Sequence, residues 1–276
     1  MLSLRFWLGS LSIQKPITSS SRRLLASSQK NGSWNNPRSF CCCVKAIKNN
    51  DFISESNSNF PLSSSPPRDS PLSGVEDTLI SYVSGKKKAT EVAHQVWKQV
   101  VQRGDTVVDA TCGNGFDTLA MLKLVADDSG KGRVYGMDIQ KDALDKTSTL
   151  LEESHCLNEK QYLKLFHICH SKMDEVVPLD ASVRLVAFNL GYLPGGDKEI
   201  VTRSETTLLA LEAAKRIIIP GGLISIVVYV GHPGGWDELE AIQAFTSTMT
   251  VDNWICCKLQ MLNRPCAPIP IFLFRR

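Results

Sequence analysis

Asp109-Ala110-Thr111-Cys112-Gly113-Asn114-Gly115-Phe116-Asp117-Thr118, preceded by the apolar pair Val107-Val108, decides how this 276-residue chain is to be read. The stretch reads as a short buried strand ending in a carboxylate, a tight glycine turn, and a helix opening at Asp117 or Thr118. Gly113 and Gly115 let the backbone bend sharply and approach a ligand, and the helix start behind them offers unpaired N–H groups to negative charge. Two cofactor classes compete for such a cradle. A dinucleotide calls for G-x-G-x-x-G, but Thr118 stands where the third glycine would fall, and Asp109 sits poorly beside a pyrophosphate. An acid followed by a looser G-x-G suits the positive amino group of S-adenosylmethionine. The expected cofactor-binding residues of the loop are Asp109, Thr111, Cys112, Gly113, Asn114, Gly115, Asp117 and Thr118. Cys112 is read as a small residue filling the turn, not as a nucleophile.

Working outward, residues 133–137 form a second strand ending in Asp138. An acid at this place, 20 to 30 residues after the glycine loop, is positioned to grip a ribose diol, and it can also cap the helix expected over 141–153. Upstream, 89–101 is an amphipathic helix with Ala89, Ala93, Val96, Trp97 and Val100 on one stripe. Downstream come strands near 162–168 and 184–188, a helix over 204–219 halted by Pro220-Gly221-Gly222, and a strongly apolar strand at 223–230. A helix over 236–248 and strands near 254–259 and 269–274 complete the chain. Alternating strands and helices predict a mainly parallel sheet with right-handed crossovers. Two closing strands without a helix between them predict an antiparallel hairpin at its edge. This is the α/β, Rossmann-like architecture of a class I S-adenosylmethionine-dependent methyltransferase, with seven strands.

In open parallel sheets the ligand lies beyond the carboxyl ends of the strands. The loop after the fourth strand, Asn189-Leu190-Gly191-Tyr192-Leu193-Pro194-Gly195-Gly196, should therefore face the cofactor's reactive end. It is similar to the Asn/Asp-Pro-Pro-Tyr loop of amine-directed methyltransferases, with Leu-Gly in place of Pro-Pro. A neutral Asn189 can accept the N–H hydrogens of an amine and aim its lone pair at a methyl group. Tyr192 can stack on a base or pack in the core. Carbon methylation of a pyrimidine would call for a nucleophilic cysteine near this loop, and the loop has none. A second shaped loop, Tyr229-Val230-Gly231-His232-Pro233-Gly234-Gly235, opens on the same edge, and His232 can contact phosphate, assist proton removal or bond the backbone. Lys198 and Arg203 lie after the acceptor loop. Arg203 is either a phosphate contact or a solvated surface arginine, and Lys86-Lys87-Lys88 is either a solvated charge run or an RNA contact.

The chain's ends differ in composition. Residues 1–50 hold eight Lys or Arg, ten Ser and no Asp or Glu, the make-up of an organelle transit peptide. Ser outnumbering Arg favours the chloroplast over the mitochondrion, and a basic nucleic-acid-binding tail is the alternative. Residues 51–74, rich in Ser, Asn and Pro, read as a disordered linker, and 75–276 as one domain. The whole chain carries 31 basic and 28 acidic residues, net +3, whereas 51–276 carry 23 and 28, net −5. No overall basic character advertises a nucleic-acid partner, so an RNA contact must come from a local patch. The nine cysteines show no C-x-x-C spacing outside the Cys41-Cys42-Cys43 run, and are read as reduced and not metal-binding. No apolar run suits a membrane span, and the sequence is neutral on a homodimer.

Taken together, these residues resemble the YtqB/MnmM family, formerly labelled rRNA methylases. The resemblance runs from about Lys88 to the C-terminus. It is carried by the 109–118 loop, Asp138-Ile139-Gln140, Asn189 to Gly195 with Asp197-Lys198, Thr202-Arg203 to Thr206-Thr207, Pro220-Gly221-Gly222 and Gly231-His232-Pro233-Gly234-Gly235. It implies S-adenosyl-L-methionine as cofactor and N-methylation of 5-aminomethyl-2-thiouridine at tRNA wobble position 34, hence a tRNA anticodon stem-loop as partner. Another RNA amine, or a small-molecule amine, is the alternative acceptor. By the same resemblance Gln140 and His170 join Asp138 as cofactor contacts, and Asn189 contacts cofactor as well as acceptor. Asn189, Tyr192 and His232 are the catalytic candidates, and Tyr192, Lys198, Arg203 and His232 the substrate contacts. Two departures stand out. The family's Ser-His-Glu after the third strand is here Cys169-His170-Ser171, and its Asn-x-x-Pro-Pro segment is here Asn263-Arg264-Pro265-Cys266-Ala267-Pro268.

Overall fold

The computed structural model describes residues 74–127, 130–154 and 161–276, so the expected leader and all but the last residue of the expected linker lie outside the described residues. Two helices open the fold, α1 (Glu76–Val83) and α2 (Ala89–Val100), followed by β1 (Thr106–Asp109) and α3 (Phe116–Val125). Then come β2 (Arg133–Asp138), α4 (Lys141–Glu153), β3 (Leu163–His167), a 3-10 segment (His170–Glu175) and β4 (Val183–Leu190). The last half holds α5 (Ser204–Ile217), β5 (Ile218–Val228), α6 (Gly235–Ser247), β6 (Trp254–Lys258) and β7 (Ile269–Arg275).

The strands form one sheet in the order β3-β2-β1-β4-β5-β7-β6. Strands β1 to β5 pair in parallel, and β7 runs antiparallel to both β5 and β6. The expected terminal hairpin is therefore present, with its second strand tucked inside and its first at the edge. Strand order reverses between β1 and β4, and that switch point opens a crevice beyond their carboxyl ends.

Alternation along the central strands divides the core into two layers. Val107, Leu185, Ala187, Leu223, Val227 and Phe272 pack on one face with Trp97, Val92 and Val96 of α2 and Met121, Leu122 and Val125 of α3. Val108, Val186, Phe188, Ile224, Ile226 and Val228 pack on the other with Ala210, Leu211, Ala214 and Ile217 of α5 and Ile242 and Phe245 of α6. Fully burying each such side chain contributes about 1.5–3 kcal/mol. A one-residue slip would exchange the two faces of a strand, so register is strongly specified.

Three boundaries differ from the sequence expectation. Helix α1 is additional to it; it packs over α2 with Val75, Thr78 and Tyr82 buried. Helix α5 stops at Ile217, and β5 begins at Ile218 with Pro220-Gly221-Gly222 inside it. There the β4–β5 register shifts, Gly221 takes φ +77°, and the Arg184 guanidinium donates to the Pro220 carbonyl at 3.3 Å. The Pro-Gly-Gly sequence thus bends a strand instead of ending a helix. Strand β4 is longer than expected at both ends, carrying Asn189 within the sheet and not after it.

Candidate active site

Strand β1 delivers Asp109 to the switch point, and the chain then turns back on itself. Gly115 adopts φ +85° as the residue before α3, and a Cβ there would lie 2.8 Å from the Thr147 Cα of α4. Only glycine fits both the dihedral and the gap. At Gly113 (φ +53°) a Cβ would meet only ordinary contacts, with Leu193 Cδ1 at 3.8 Å and the Thr111 carbonyl oxygen at 3.9 Å, so the requirement there is the dihedral and not the space. The cradle is closed below by the Cys112 N–H donating to the Met137 carbonyl (2.9 Å). Cys112 itself is buried, and burial foremost, followed by the Asp109 charge, pushes its thiol well above the usual range. It is a packed thiol and not a nucleophile.

Asp109 is almost wholly buried. One carboxylate oxygen accepts the Thr118 hydroxyl at 2.5 Å and the other the Thr111 N–H at 3.2 Å. Burial first, then the neighbouring Asp117 charge, pushes its pKa up to about 7 against the pull of these two bonds. Thr118, which in the sequence stands out only as a missing glycine, is the partner that anchors this acid. Asp109 therefore braces the loop from within, and the carboxylate nearer the crevice surface is that of Asp117.

Asp117 joins three elements. Its Oδ1 lies 2.5 Å from Nε2 of His94 on α2, and its Oδ2 accepts the Asn189 side-chain N–H at 3.2 Å. Asn189 also donates its backbone N–H to the Thr111 hydroxyl at 2.7 Å, tying β4 to the turn after β1. With its amide nitrogen given to a carboxylate, Asn189 has its side-chain oxygen left as an acceptor. His94 lies outside every motif; its ring rests 4.6 Å from that of Trp97, and only the fold brings it here.

Asp138 ends β2 beside the same turn. It accepts the Gly113 N–H at 3.0 Å and the Gln140 N–H at 2.8 Å, one on each oxygen. Asp138 is not the cap of α4, whose N-cap residue is Gln140; its carboxylate orders the turn just before that helix, and each oxygen keeps a second lone pair. The neighbouring Ile139, 49% exposed, and Phe116, 65% exposed, present apolar surface on this side of the loop. His170 is placed differently from the loop residues. Its ring is buried between Thr206 of α5 (Nε2 to Oγ1, 3.3 Å) and the edge of Phe188 (5.9 Å), and burial lowers its pKa to about 4.

The acceptor loop is a strapped hairpin. Gly191 and Thr202 exchange bonds: the Gly191 N–H donates to the Thr202 hydroxyl (2.9 Å) and the Thr202 N–H to the Gly191 carbonyl (3.0 Å), with Tyr192 bridged to Val201. The Thr202 hydroxyl passes its own proton to the buried Glu238 of α6 at 2.9 Å, and Thr207 donates to the other oxygen at 2.6 Å. Burial raises the Glu238 pKa, opposed by those two bonds. Asn114 adds a strut to the Pro194 carbonyl at 3.3 Å. Neither Glu238 nor the strapping role of Thr202 carries a signal in the sequence.

The second loop meets this one. The His232 ring lies edge-on to Tyr192 at 6.3 Å, and the Lys198 ammonium sits over the Tyr192 ring at 5.7 Å. Nδ1 of His232 is 2.9 Å from the Pro233 carbonyl, which places the ring proton there. Its Nε2 is buried without a hydrogen-bond partner and stands 3.8 Å from the Gly191 Cβ position. Tyr229 borders the same place; burial foremost and then the Asp117 charge raise its pKa. Arg203, exposed at the start of α5, stays on the surface beyond the strap.

The fold thus brings Thr111, Gly113, Asn114, Gly115, Asp117, Asp138, Gln140 and Asn189 together beyond the ends of β1, β2 and β4, with Asp109, Cys112 and Thr118 buried behind them. Tyr192, Lys198 and His232 form the outer wall of the crevice. These groups fit S-adenosylmethionine: Asp138 offers acceptors for a diol, Ile139 an apolar face for a base, and Asp117 a negative charge for the methionine ammonium. Among the described residues no group of three His, Cys, Asp or Glu could hold a metal, and no helix is long and apolar enough to cross a membrane.

Residues 134–275 match the family model described as "Putative rRNA methylase". An Arabidopsis thaliana protein named "tRNA (mnm(5)s(2)U34)-methyltransferase, chloroplastic" is 61% identical over 219 residues, covering 79% of this chain and 80% of the relative. A Clostridium thermocellum structure titled as a "putative rRNA-methylase" is 38% identical with a TM-score of 0.64, matching 69% of this chain and 98% of that one. A Streptococcus mutans protein solved with SAH and titled as a methyltransferase is 29% identical with a TM-score of 0.60, over 69% of this chain and 99% of that one. By sequence and by the seven-stranded, mostly parallel sheet with its antiparallel terminal pair, the chain belongs to this rRNA methylase family and has the class I methyltransferase fold.

Proposed function

We propose that this chain N-methylates the aminomethyl group of 5-aminomethyl-2-thiouridine at wobble position 34 of tRNA, using S-adenosylmethionine, in the plastid. The carrying observation is the amide of Asn189: its nitrogen is held by Asp117, so its oxygen is the atom presented to an acceptor. Such an oxygen takes an N–H from an amine and turns the nitrogen lone pair away from itself, toward the cofactor's side of the crevice. When bound, S-adenosylmethionine would supply a methyl carbon on a positively charged sulfur, the C–S bond breaking as the neutral amine forms the N–C bond and S-adenosylhomocysteine leaves.

An alkyl amine arrives protonated at neutral pH, so a base must take its proton before it can react. His232 is the base on this wall: the Pro233 carbonyl holds the Nδ1 proton, and the unpartnered Nε2, buried beside Gly191 and Gly235, has to turn toward the crevice to take the amine's proton. Tyr192, half-exposed on the outer wall, offers its ring as a stacking face for the thiouracil, and Lys198 beside it adds positive charge. Asp138 and Gln140 hold the cofactor at the diol end. The tRNA and plastid parts of this reading are supported by the name of the 61% identical relative. The test is direct: incubation with S-adenosylmethionine and tRNA carrying the aminomethyl nucleoside yields the methylaminomethyl nucleoside by mass spectrometry. Tight S-adenosylhomocysteine binding without that product would reject the substrate assignment.

A further inference from the structure

Arg264, in the connection between β6 and β7, lays its guanidinium against Gly85 in the turn between α1 and α2. Nη1 and Nη2 come within 3.0 and 3.2 Å of the place a Cβ on Gly85 would occupy. Lys86 follows directly and is exposed, as is Arg264. Among the described residues neither has an ion-pair partner within 4.0 Å. Lys87 is occupied differently, its ammonium donating to the Thr78 hydroxyl at 3.1 Å. The backbone N–H of Lys88 is taken by the Glu91 carboxylate at 2.7 Å, which sets a negative charge beside that residue.

The two segments are fastened together and to the crevice. The Tyr82 hydroxyl donates to the Pro268 carbonyl at 3.0 Å, which clamps α1 to the β6–β7 connection. Cys266 in the same connection packs 3.9 Å from the Gly231 Cβ position, one residue from His232. The Arg264 guanidinium is therefore held against the turn residue that precedes Lys86, and the connection that carries it reaches the loop of His232. With no acid of the described residues paired to either, both cations are open to an anion. Residues 51–276 carry a net charge of −5, so an RNA strand needs such a local patch to approach at all.

We propose that Arg264 and Lys86 form a phosphate-binding station for the RNA strand that carries the target base, on the flank of the crevice bounded by α1 and the β6–β7 connection. This rests on the tRNA reading above. Arg264 supplies the planar fork that suits a phosphate, and Lys86 a point charge next to it. The station positions the backbone and reads no base.

The test compares the wild-type full chain with Lys86→Glu, Arg264→Glu and the double variant. A Lys123→Glu control makes the same charge change at the exposed last turn of α3. Methylation kinetics with tRNA and direct tRNA binding are measured between 50 and 200 mM salt, alongside S-adenosylhomocysteine affinity. We expect each reversal to raise the tRNA KM roughly 5- to 20-fold and to reduce the slope of log affinity against log salt by about one, with kcat and S-adenosylhomocysteine affinity within about twofold. An unchanged KM and slope in the double variant, or an equal rise in the Lys123→Glu control, overturns the proposal. If the wild type binds tRNA but makes no methylaminomethyl nucleoside, the substrate reading fails and the station stands or falls on the binding slopes. If the wild type binds no tRNA, both fail.

Discussion

Replacing Asp109 by Asn tests whether this acid braces the loop or serves the ligand. In the folded chain its pKa is pushed up to about 7, chiefly by burial and then by the Asp117 charge. In the unfolded chain it returns to about 3.9. Between those two values the folded state holds a proton that the unfolded state has released, so stability falls as pH rises, by about 1.4 kcal/mol per pH unit from this group. The favourable contribution is complete below pH 4 and gone above about pH 7. Integrated from pH 5 to pH 8, the loss comes to roughly 2–3 kcal/mol. Asparagine keeps the acceptor for the Thr111 N–H and places an N–H2 against the Thr118 hydroxyl, which can rotate to accept. Asp109→Asn, neutral at every pH, should therefore exceed the wild type by about 1.5 kcal/mol at pH 5 and by about 4 kcal/mol at pH 8, the excess growing by roughly 2–3 kcal/mol between them. Urea unfolding at pH 5, 6, 7 and 8 reads this difference. S-adenosylhomocysteine affinity should change by less than about fivefold, since the carboxylate is almost wholly buried behind the loop it braces. A variant equally destabilised at every pH, or one that loses cofactor binding outright, would refute the bracing role.

Three further substitutions address the crevice. Asn189→Ala should lower kcat by at least about 100-fold while S-adenosylhomocysteine binding, followed by calorimetry, changes less than about threefold, because the oriented oxygen acts on the acceptor. Asp138→Ala removes an acceptor that also orders Gly113 and Gln140, and should weaken S-adenosylhomocysteine by roughly 10- to 100-fold, given about 1.5–3 kcal/mol for a charged hydrogen bond. His94→Ala deprives Asp117 of one partner and should lower kcat about tenfold with tRNA KM unchanged. His94→Gln, which restores a donor near the Nε2 position, should recover most of that loss; failure to recover would make His94 a packing residue only.

What the sequence made legible was what depends on neighbours along the chain. The apolar strands, the positive-φ glycines of the 109–118 turn and the stripe of α2 are all local patterns, and they placed the sheet and its switch point. The end of α5 was not legible in this way. Ile217-Ile218-Ile219 is an apolar, β-branched run that serves a buried helix end and a buried strand equally, and periodicity alone does not separate them. Pro-Gly-Gly then looks like a stop signal when it is a bend within β5. Helix α1 escapes because its short run, with Ile80 and Val83 left exposed, gives a weak stripe.

The site was legible as a set of positions and less so as a set of roles. Asp109 and Asp117 stand eight residues apart around one turn, and the sequence pattern points to Asp109 as the acid that meets a ligand's ammonium. Burial distinguishes them, Asp109 being the more hidden. A carboxylate as hidden as Asp109 is costly to ionise unless its bonds are internal, and Thr118 and Thr111 supply those bonds. Asp117, at the opening of α3, is left to face the crevice, where His94 and Asn189 each hold one of its oxygens. Neither contact leaves a trace in sequence spacing, because α2 and β4 meet α3 only in the folded sheet. The threonine that breaks the dinucleotide pattern is thus also the group that anchors the buried acid of the turn. Thr118→Val tests that link. With the hydroxyl gone, Asp109 loses one of the bonds that lower its pKa, its folded value should rise further, and the stability slope between pH 4 and 7 should extend above pH 7. A slope that still ends near pH 7 would mean that Thr118 fills space beside Asp109 without setting its charge.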